Sequence, residues 1–348
     1  MKNARNIRGC CDGESLRNRS VKVVLKNALY FVLFILLAPG ISPAQTPGDL
    51  SPGIVKIEAK PAGGFAYPYY LYVPQALRTG AQDAKRTHTI LVIPNNAGKV
   101  SDDFNVHEED VKRKFKRNAE IADRLGTALL SPVFPRPQSD WKIYTHALDR
   151  DALTTGKKEL ARFDLQLIAM IDDARARLAV EKLKFDKRVL LLGFSASGMF
   201  ANRFTFLHPK RVRAATIGSP GGWAIAPAAS FQEKPLRYPI GVSDLKTISG
   251  EKFDLKNLRK VPLFMFLGDE DDNDSVIFRD SYEKEDEDLI FALFGKTPVE
   301  RWAISKKLYQ DNGLNAEFRL YPKVKHTITK EMFDDIFAFF SKHKNQKY

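Results

Sequence analysis

The stretch that most constrains this chain runs Leu190-Leu191-Leu192-Gly193-Phe194-Ser195-Ala196-Ser197-Gly198. A continuous aliphatic run of this length is the pattern of a strand buried on both faces, here Arg188–Leu192. Ser197–Leu207 beyond it reads as a helix. A strand that passes into a helix this abruptly puts its apex residue in a strained backbone conformation. The neighbours two before and two after must then be small. Gly193 and Ser197 meet that requirement, and Gly198 relieves the helix start; the last small position is more often Gly. The turn presents Ser195 as the candidate nucleophile. Ser197 lies two residues past the apex and is expected to point into the helix.

The rest of the chain supplies more buried strands alternating with helical patterns. Ile54–Ala59 and Ala66–Val73 alternate in polarity between Gly and Pro, as antiparallel edge strands do. Further strands are expected at Thr89–Ile93, Thr127–Phe134, Ala214–Gly218, Leu263–Leu267 and Ala316–Tyr321. Helices are expected over about 111–125, within 158–180, and near 299–311 and 330–342. In the second of these, Phe163, Leu167, Met170, Ile171, Ala174 and Leu178 share one face. Strands alternating with helices require crossover connections, hence an α/β domain with a mostly parallel central sheet and helices on both faces. The interval 222–260 is rich in Pro and aromatics and carries no long helical period. It reads as an insertion or lid after the strand that follows the nucleophile, within one domain spanning 54–348.

Two later strands end in groups that complement a serine. Leu263–Leu267 runs into Gly268-Asp269-Glu270-Asp271, and Ala316–Tyr321 into Pro322-Lys-Val-Lys-His326-Thr327. A serine hydroxyl is a weak nucleophile until a base takes its proton. His326 fits that role, and Asp271 fits that of the acid that fixes the imidazole tautomer. Asp272 and Asp274 are the fallback acids. The order Ser, Asp, His with a strand before each is that of an α/β-hydrolase.

On GFSASG, GDED and KHT the chain resembles the α/β-hydrolase superfamily, and within it secreted esterases and polyester depolymerases, over about residues 54–343. The resemblance implies a serine hydrolase of carboxylic esters that works through an acyl-enzyme and needs no cofactor. It also implies an oxyanion hole built from the backbone N–H of Ala196 and a second donor in the loop Pro94-Asn95-Asn96-Ala97-Gly98. Asn95 and Asn96 are both open for that second role. A serine peptidase of the same fold and a catalytically silent binding protein on the same scaffold are the alternatives. The expected partner is a small or polymeric ester.

Trp141, Tyr144 and His146 sit in a long connection after the Thr127–Phe134 strand, and Trp223 in a loop after the strand beyond the nucleophile. Loops at the carboxyl ends of parallel strands surround the site in open α/β folds. Trp141, Tyr144 and Trp223 are therefore candidate substrate contacts, with plain packing an equal reading. Asp269, Asp271, Asn273 and Asp280 match positions 1, 3, 5 and 12 of a calcium loop, but position 6 is Asp274 rather than Gly and position 12 is not Glu. No zinc-ligand spacing occurs among the six His, so no metal is expected.

The chain's 55 Lys+Arg against 42 Asp+Glu, a net +13, raise the question of nucleic acid. The run Lys112–Arg117 is the strongest basic cluster. It follows Glu108-Glu109-Asp110 and reads as a solvated helix face, so no nucleic-acid partner is expected. Part of the excess belongs to the N-terminus. Seven basic residues precede the apolar run Ala28–Ala38, and Ser42-Pro43-Ala44 supplies a small-x-small site, together a secretory signal over 1–44. Residues 45–53 read as a linker. Without 1–44 the balance is 48 against 40, or +8, and both cysteines, Cys10 and Cys11, are gone. A mean hydropathy of −0.31 excludes a polytopic membrane protein, no stable membrane span is expected once the signal is removed, and the protein is expected to be secreted or periplasmic.

Overall fold

The computed structural model describes residues 53–79, 87–96 and 99–346. The expected signal 1–44, both cysteines and all but the last residue of the linker lie outside the described residues. Eight strands form one sheet: β1 (Ile54–Ile57), β2 (Tyr69–Tyr72), β3 (Ile90–Val92), β4 (Ala128–Pro132), β5 (Val189–Phe194), β6 (Val212–Gly218), β7 (Leu263–Gly268) and β8 (Ala316–Tyr321). Their spatial order is β1-β2-β4-β3-β5-β6-β7-β8. The pairs β1–β2 and β2–β4 are antiparallel and all others parallel. Of the two N-terminal strands expected at an edge, only β1 lies there. β2 sits one strand in, which explains why Tyr69, Tyr70 and Leu71 are all buried.

The longer helices are α1 (Phe104–Leu125), α2 (Phe163–Val180), α3 (Ala196–Leu207), α4 (Lys284–Phe294), α5 (Pro298–Asp311) and α6 (Lys330–His343). The sheet's two faces sort them. Val189 and Leu191 of β5, with Ala215, Ile217, Leu263 and Met265, join a core with Phe163, Leu167 and Met170 of α2, Phe200 and Phe204 of α3, and Tyr309 of α5. Leu190 and Leu192 point the other way, with Leu129, Phe264 and Phe266, onto Val111, Phe115 and Leu125 of α1 and Met332, Ile336 and Phe340 of α6. Each such aliphatic side chain, buried from both sides, contributes about 1.5–3 kcal/mol. This is why β5 reads as an unbroken apolar run instead of an alternating one.

α1 begins at Phe104, seven residues before the expected start, because Asp103 caps it by accepting from the Asn105 N–H at 3.0 Å. Its first turns carry Glu108, Glu109 and Asp110, which mask the periodicity. α2 starts only at Phe163, after Arg162 takes a left-handed conformation. α5 opens on a capping box, with Thr297 as cap, Pro298 next and Glu300 reaching back.

The insertion 222–260 holds a small hairpin, Ser230–Phe231 with Lys234–Pro235, and two short helices, Leu245–Ser249 and Leu255–Leu258. It is packed down. Trp223, Leu236 and Ile240 share a third cluster with Ile290 and Phe294 of α4 and with Ala196 and Met199 of α3. The Arg237 guanidinium binds Asp286 at 2.7 Å and Arg150 binds Asp244 at 2.6 Å. α4 itself was not expected from sequence. Its acidic first turn, Glu285-Asp286-Glu287, suits a helix N-terminus but carries no apolar period.

Candidate active site

Ser195 sits at the end of β5 with φ 61° and ψ −128°, a region costly for any residue with a side chain. Its own N–H donates to the Gly218 carbonyl at 3.0 Å, and its carbonyl accepts from Met199 N–H at 3.0 Å as the first bond of α3. Two glycines make this turn possible. A Cβ on Gly193 would lie 2.0 Å from the Ser197 carbonyl oxygen, and one on Gly198 would lie 2.4 Å from the Gly218 carbonyl oxygen. Ser197 has a different task. Its hydroxyl donates to Phe194 O at 2.8 Å and accepts from Phe194 N–H at 3.1 Å, closing the turn from inside.

Asp271 and His326 meet beside this turn. His326 Nδ1 is 3.0 Å from both Asp271 carboxylate oxygens. Asp271 is 3% exposed. Burial opposes its charge, but the His326 ring and the Asn273 N–H outweigh burial and hold the carboxyl below its ordinary range. The Phe194 ring packs against the His326 ring with centroids 4.9 Å apart, bringing the imidazole to the residue that precedes Ser195. The loops after β7 and β8 are laced together. Asp269 N–H donates to Tyr321 O at 2.9 Å, Glu270 N–H to Val324 O at 3.0 Å, and Lys323 N–H to the Asp269 carboxylate at 2.6 Å. Gly268 permits that approach, since a Cβ there would lie 2.0 Å from Val324 O.

The two fallback acids are placed elsewhere. Asp272 is exposed, and Asp274 is buried against the guanidinium of Arg301, itself 0% exposed. Asp274 also accepts from Val276 N–H at 3.1 Å and leaves no room for a side chain at Gly222. The calcium-loop match dissolves into separate contacts: Asp269 with Lys323 N–H, Asp271 with His326, and Asp280 with Arg136 at 2.8 Å. Among the described residues no three His, Cys, Asp or Glu side chains gather as a metal cluster.

Ala196 is the first residue of α3, so its N–H has no partner within the helix. Both asparagine amides of the facing loop are engaged. Asn95 accepts from Phe134 N–H at 3.0 Å and donates to Phe134 O at 2.9 Å, joining the loop to the end of β4. Asn96 donates to Phe194 O at 3.0 Å, and its own carbonyl receives Lys114 Nζ at 2.5 Å. Of the two, only Asn96 is therefore tied directly to the turn at Ser195. His146 is fully buried beside Asn95, its Nε2 2.7 Å from Phe134 O. Burial pushes the ring down to about 3, so it stays neutral.

The aromatic candidates divide. Trp223 is 2% exposed, stacked on Phe294 at 4.1 Å, with its indole N–H on Ile240 O at 2.9 Å. Tyr144 is buried beneath the Arg136 guanidinium, 3.7 Å from the ring centroid. Both follow the packing reading. Trp141 is 44% exposed. In the basic run, Lys112 pairs with Glu109 at 2.9 Å and Lys114 with Asp110 at 2.6 Å, and Arg113 also binds Asp110. These are the acids that precede it in sequence. No helix among the described residues is long and apolar enough to cross a membrane.

Sequence reasoning missed the Asp274–Arg301 pair, the Asn96 contact with Phe194, and the role of Gly268. Only the last left a signal, a glycine directly after a buried strand.

No protein-family model matches the sequence, and no curated protein matches it. Solved structures do. A poly(aspartic acid) hydrolase-1 from Sphingomonas sp. KT-1 superposes with a TM-score of 0.55 at 18% identity, covering 85% of this chain and 100% of that one. A poly(3-hydroxybutyrate) depolymerase from Bordetella parapertussis superposes with a TM-score of 0.53 at 16% identity, covering 85% of this chain and 93% of that one. With the strand order above, the fold is that of the α/β-hydrolases.

Proposed function

We propose that the chain is a serine hydrolase of carboxylic esters acting through an acyl-enzyme. The observation that carries the reading is Ser195 held on a strained strand–helix apex, with an imidazole packed on the preceding Phe194 and itself oriented by a buried, ionised carboxylate. With Asp271 charged, His326 keeps its proton on Nδ1, and Nε2 is free to act as base. It takes the Ser195 proton as Oγ attacks the ester carbonyl. The oxyanion that forms is met by the N–H of Ala196 at the start of α3 and by the N–H of Asn96. Each donor is worth about 3–4 kcal/mol in the transition state. His326 then returns the proton to the departing alkoxide, and water resolves the acyl-enzyme by the same steps in reverse. Trp141, the exposed one of the three aromatics, remains available to a substrate. Residues 1–44 serve as an export signal, which places the enzyme outside the cytoplasm.

The test is turnover by the full chain of 4-nitrophenyl esters from acetate to decanoate, alongside poly(3-hydroxybutyrate) and poly(aspartic acid). Asp271→Asn should lower kcat about 10³- to 10⁴-fold with KM nearly held. An unchanged kcat in that variant would remove Asp271 from the mechanism, and cleavage of amides alone would favour the peptidase reading.

A further inference from the structure

Beside the nucleophile's turn, a crevice opens between α1 and α6 with a volume of about 150 Å³. Its upper wall is made by Asn96, Phe194 and Ile328, respectively the candidate oxyanion residue, the residue before Ser195 and the second residue after His326. Its deeper wall is apolar, with Ile93 and Leu192, and a void of this size admits about six non-hydrogen atoms. The floor is not wholly apolar. Ser131 of β4 lines the crevice, is 2% exposed, and its hydroxyl has no hydrogen-bond partner among the described residues. A desolvated hydroxyl without a partner is a standing cost that a polar ligand atom removes.

The charged lining is of one sign. Lys114 and Arg117 face the crevice, Asn118 adds an amide, and no carboxylate among the described residues lines it. Lys114 is already shared between Asp110 and the Asn96 carbonyl. Arg117 makes no ion pair among the described residues and lies over the Phe333 ring at 6.0 Å. Lys112, Arg113 and Lys114 are matched to Glu108-Glu109-Asp110; of the remaining cations of the basic run, Arg117 is the one that lines the crevice.

We infer that this crevice receives the acyl side of the substrate, and that the preferred acyl group is short and ends in a carboxylate. A –CH₂–CH₂–COO⁻ chain has five non-hydrogen atoms and fits the volume. Its methylenes lie against Ile93, Leu192 and Phe194, and its carboxylate is met by Arg117, with Asn118 and Ser131 as neutral donors. This inference rests on the ester-hydrolase reading and narrows it to hemi-esters of dicarboxylic acids.

The full chain is assayed by pH-stat on monoethyl succinate and on ethyl levulinate, its uncharged isostere, at low and high salt. The expected kcat/KM favours monoethyl succinate by about fivefold or more, since an exposed ion pair with added neutral donors supplies that much. The preference should shrink in high salt. Arg117→Gln should abolish it, bringing the kcat/KM for monoethyl succinate down to that for ethyl levulinate. Equal rates on the two esters, or a preference that survives Arg117→Gln, overturns the inference and leaves the hydrolase reading standing. No turnover of either ester by a chain whose Ser195 still reacts with a fluorophosphonate also overturns it. Absence of that reaction removes the hydrolase reading itself.

Discussion

A single methyl group at Gly268 should separate the loops that carry Asp271 and His326. An ideal Cβ on this residue lies 2.0 Å from Val324 O, 2.7 Å from Val324 C and 3.1 Å from Lys325 O, all of them backbone atoms. Carbon against a backbone atom settles near 3.5 Å, so the β7 end and the β8 loop must part by at least about 1 Å. The Glu270 N–H bond to Val324 O, 3.0 Å long, is stretched by the same movement. Val324 lies two residues before His326, and Gly268 three before Asp271, so the Nδ1-to-carboxylate contact opens with the loops. Overpacking against backbone places the stability cost of Gly268→Ala at the upper end of about 1–3 kcal/mol. A misplacement of this size lowers kcat about 10²-fold with little change in KM. Urea unfolding measures the first quantity, and ester kinetics corrected for the fraction labelled by a fluorophosphonate measures the second. A variant with wild-type kcat per active site would mean that the loop contact does not position the imidazole.

Three other substitutions probe the account. Asp164 is fully buried between the Arg162 guanidinium and His208 Nε2, at 2.9 and 2.8 Å. Burial opposes its charge, but His208 and Arg162 outweigh burial and hold the carboxyl below its ordinary value. Its stabilisation is therefore complete above about pH 4 and is lost as the pH falls through the lower, folded-state value. Asp164→Asn should cost about 3–5 kcal/mol in urea at pH 7 and flatten the acid limb of the stability profile; an unchanged midpoint at pH 7 would count against it. Arg301→Met strands the Asp274 carboxylate in the interior and should also cost about 3–5 kcal/mol, part of which returns when Asp274→Asn is added; strictly additive losses would show that the two groups do not interact. Ser197→Ala should lose about 1 kcal/mol with the two bonds to Phe194 yet keep fluorophosphonate labelling, and loss of labelling in that variant would mean the nucleophile has been misassigned.

The parts of this molecule that sequence reveals are those whose physics is local or periodic. Strand β5 was legible because a segment covered on both faces must be apolar throughout. The turn at Ser195 was legible because a strained apex admits only small neighbours. The meeting of Asp271 with His326 followed from topology, since parallel strands deliver their carboxyl ends to one edge of the sheet. What stayed hidden depends on partners distant in sequence. The first two turns of α1 are polar because Glu108 answers Lys56 and Tyr70, 52 and 38 positions away. Helix α4 shows no period because Ile290 and Phe294 meet an insertion and not the sheet. Trp223 looked like a pocket residue from its loop, yet its ring is covered by Phe294, more than seventy positions along the chain. Nor could the roles of Asn95 and Asn96 be divided without knowing that one amide reaches Phe134 and the other Phe194.

In the proposed mechanism Ser195 is the residue acylated by substrate. The direct measurement is reaction of the full chain with a fluorophosphonate, followed by intact mass and peptide mapping. One adduct is expected, on the peptide containing Gly193-Phe194-Ser195-Ala196-Ser197, absent in Ser195→Ala and retained in Ser197→Ala. An adduct on any other serine, or an undiminished adduct in Ser195→Ala, would contradict it.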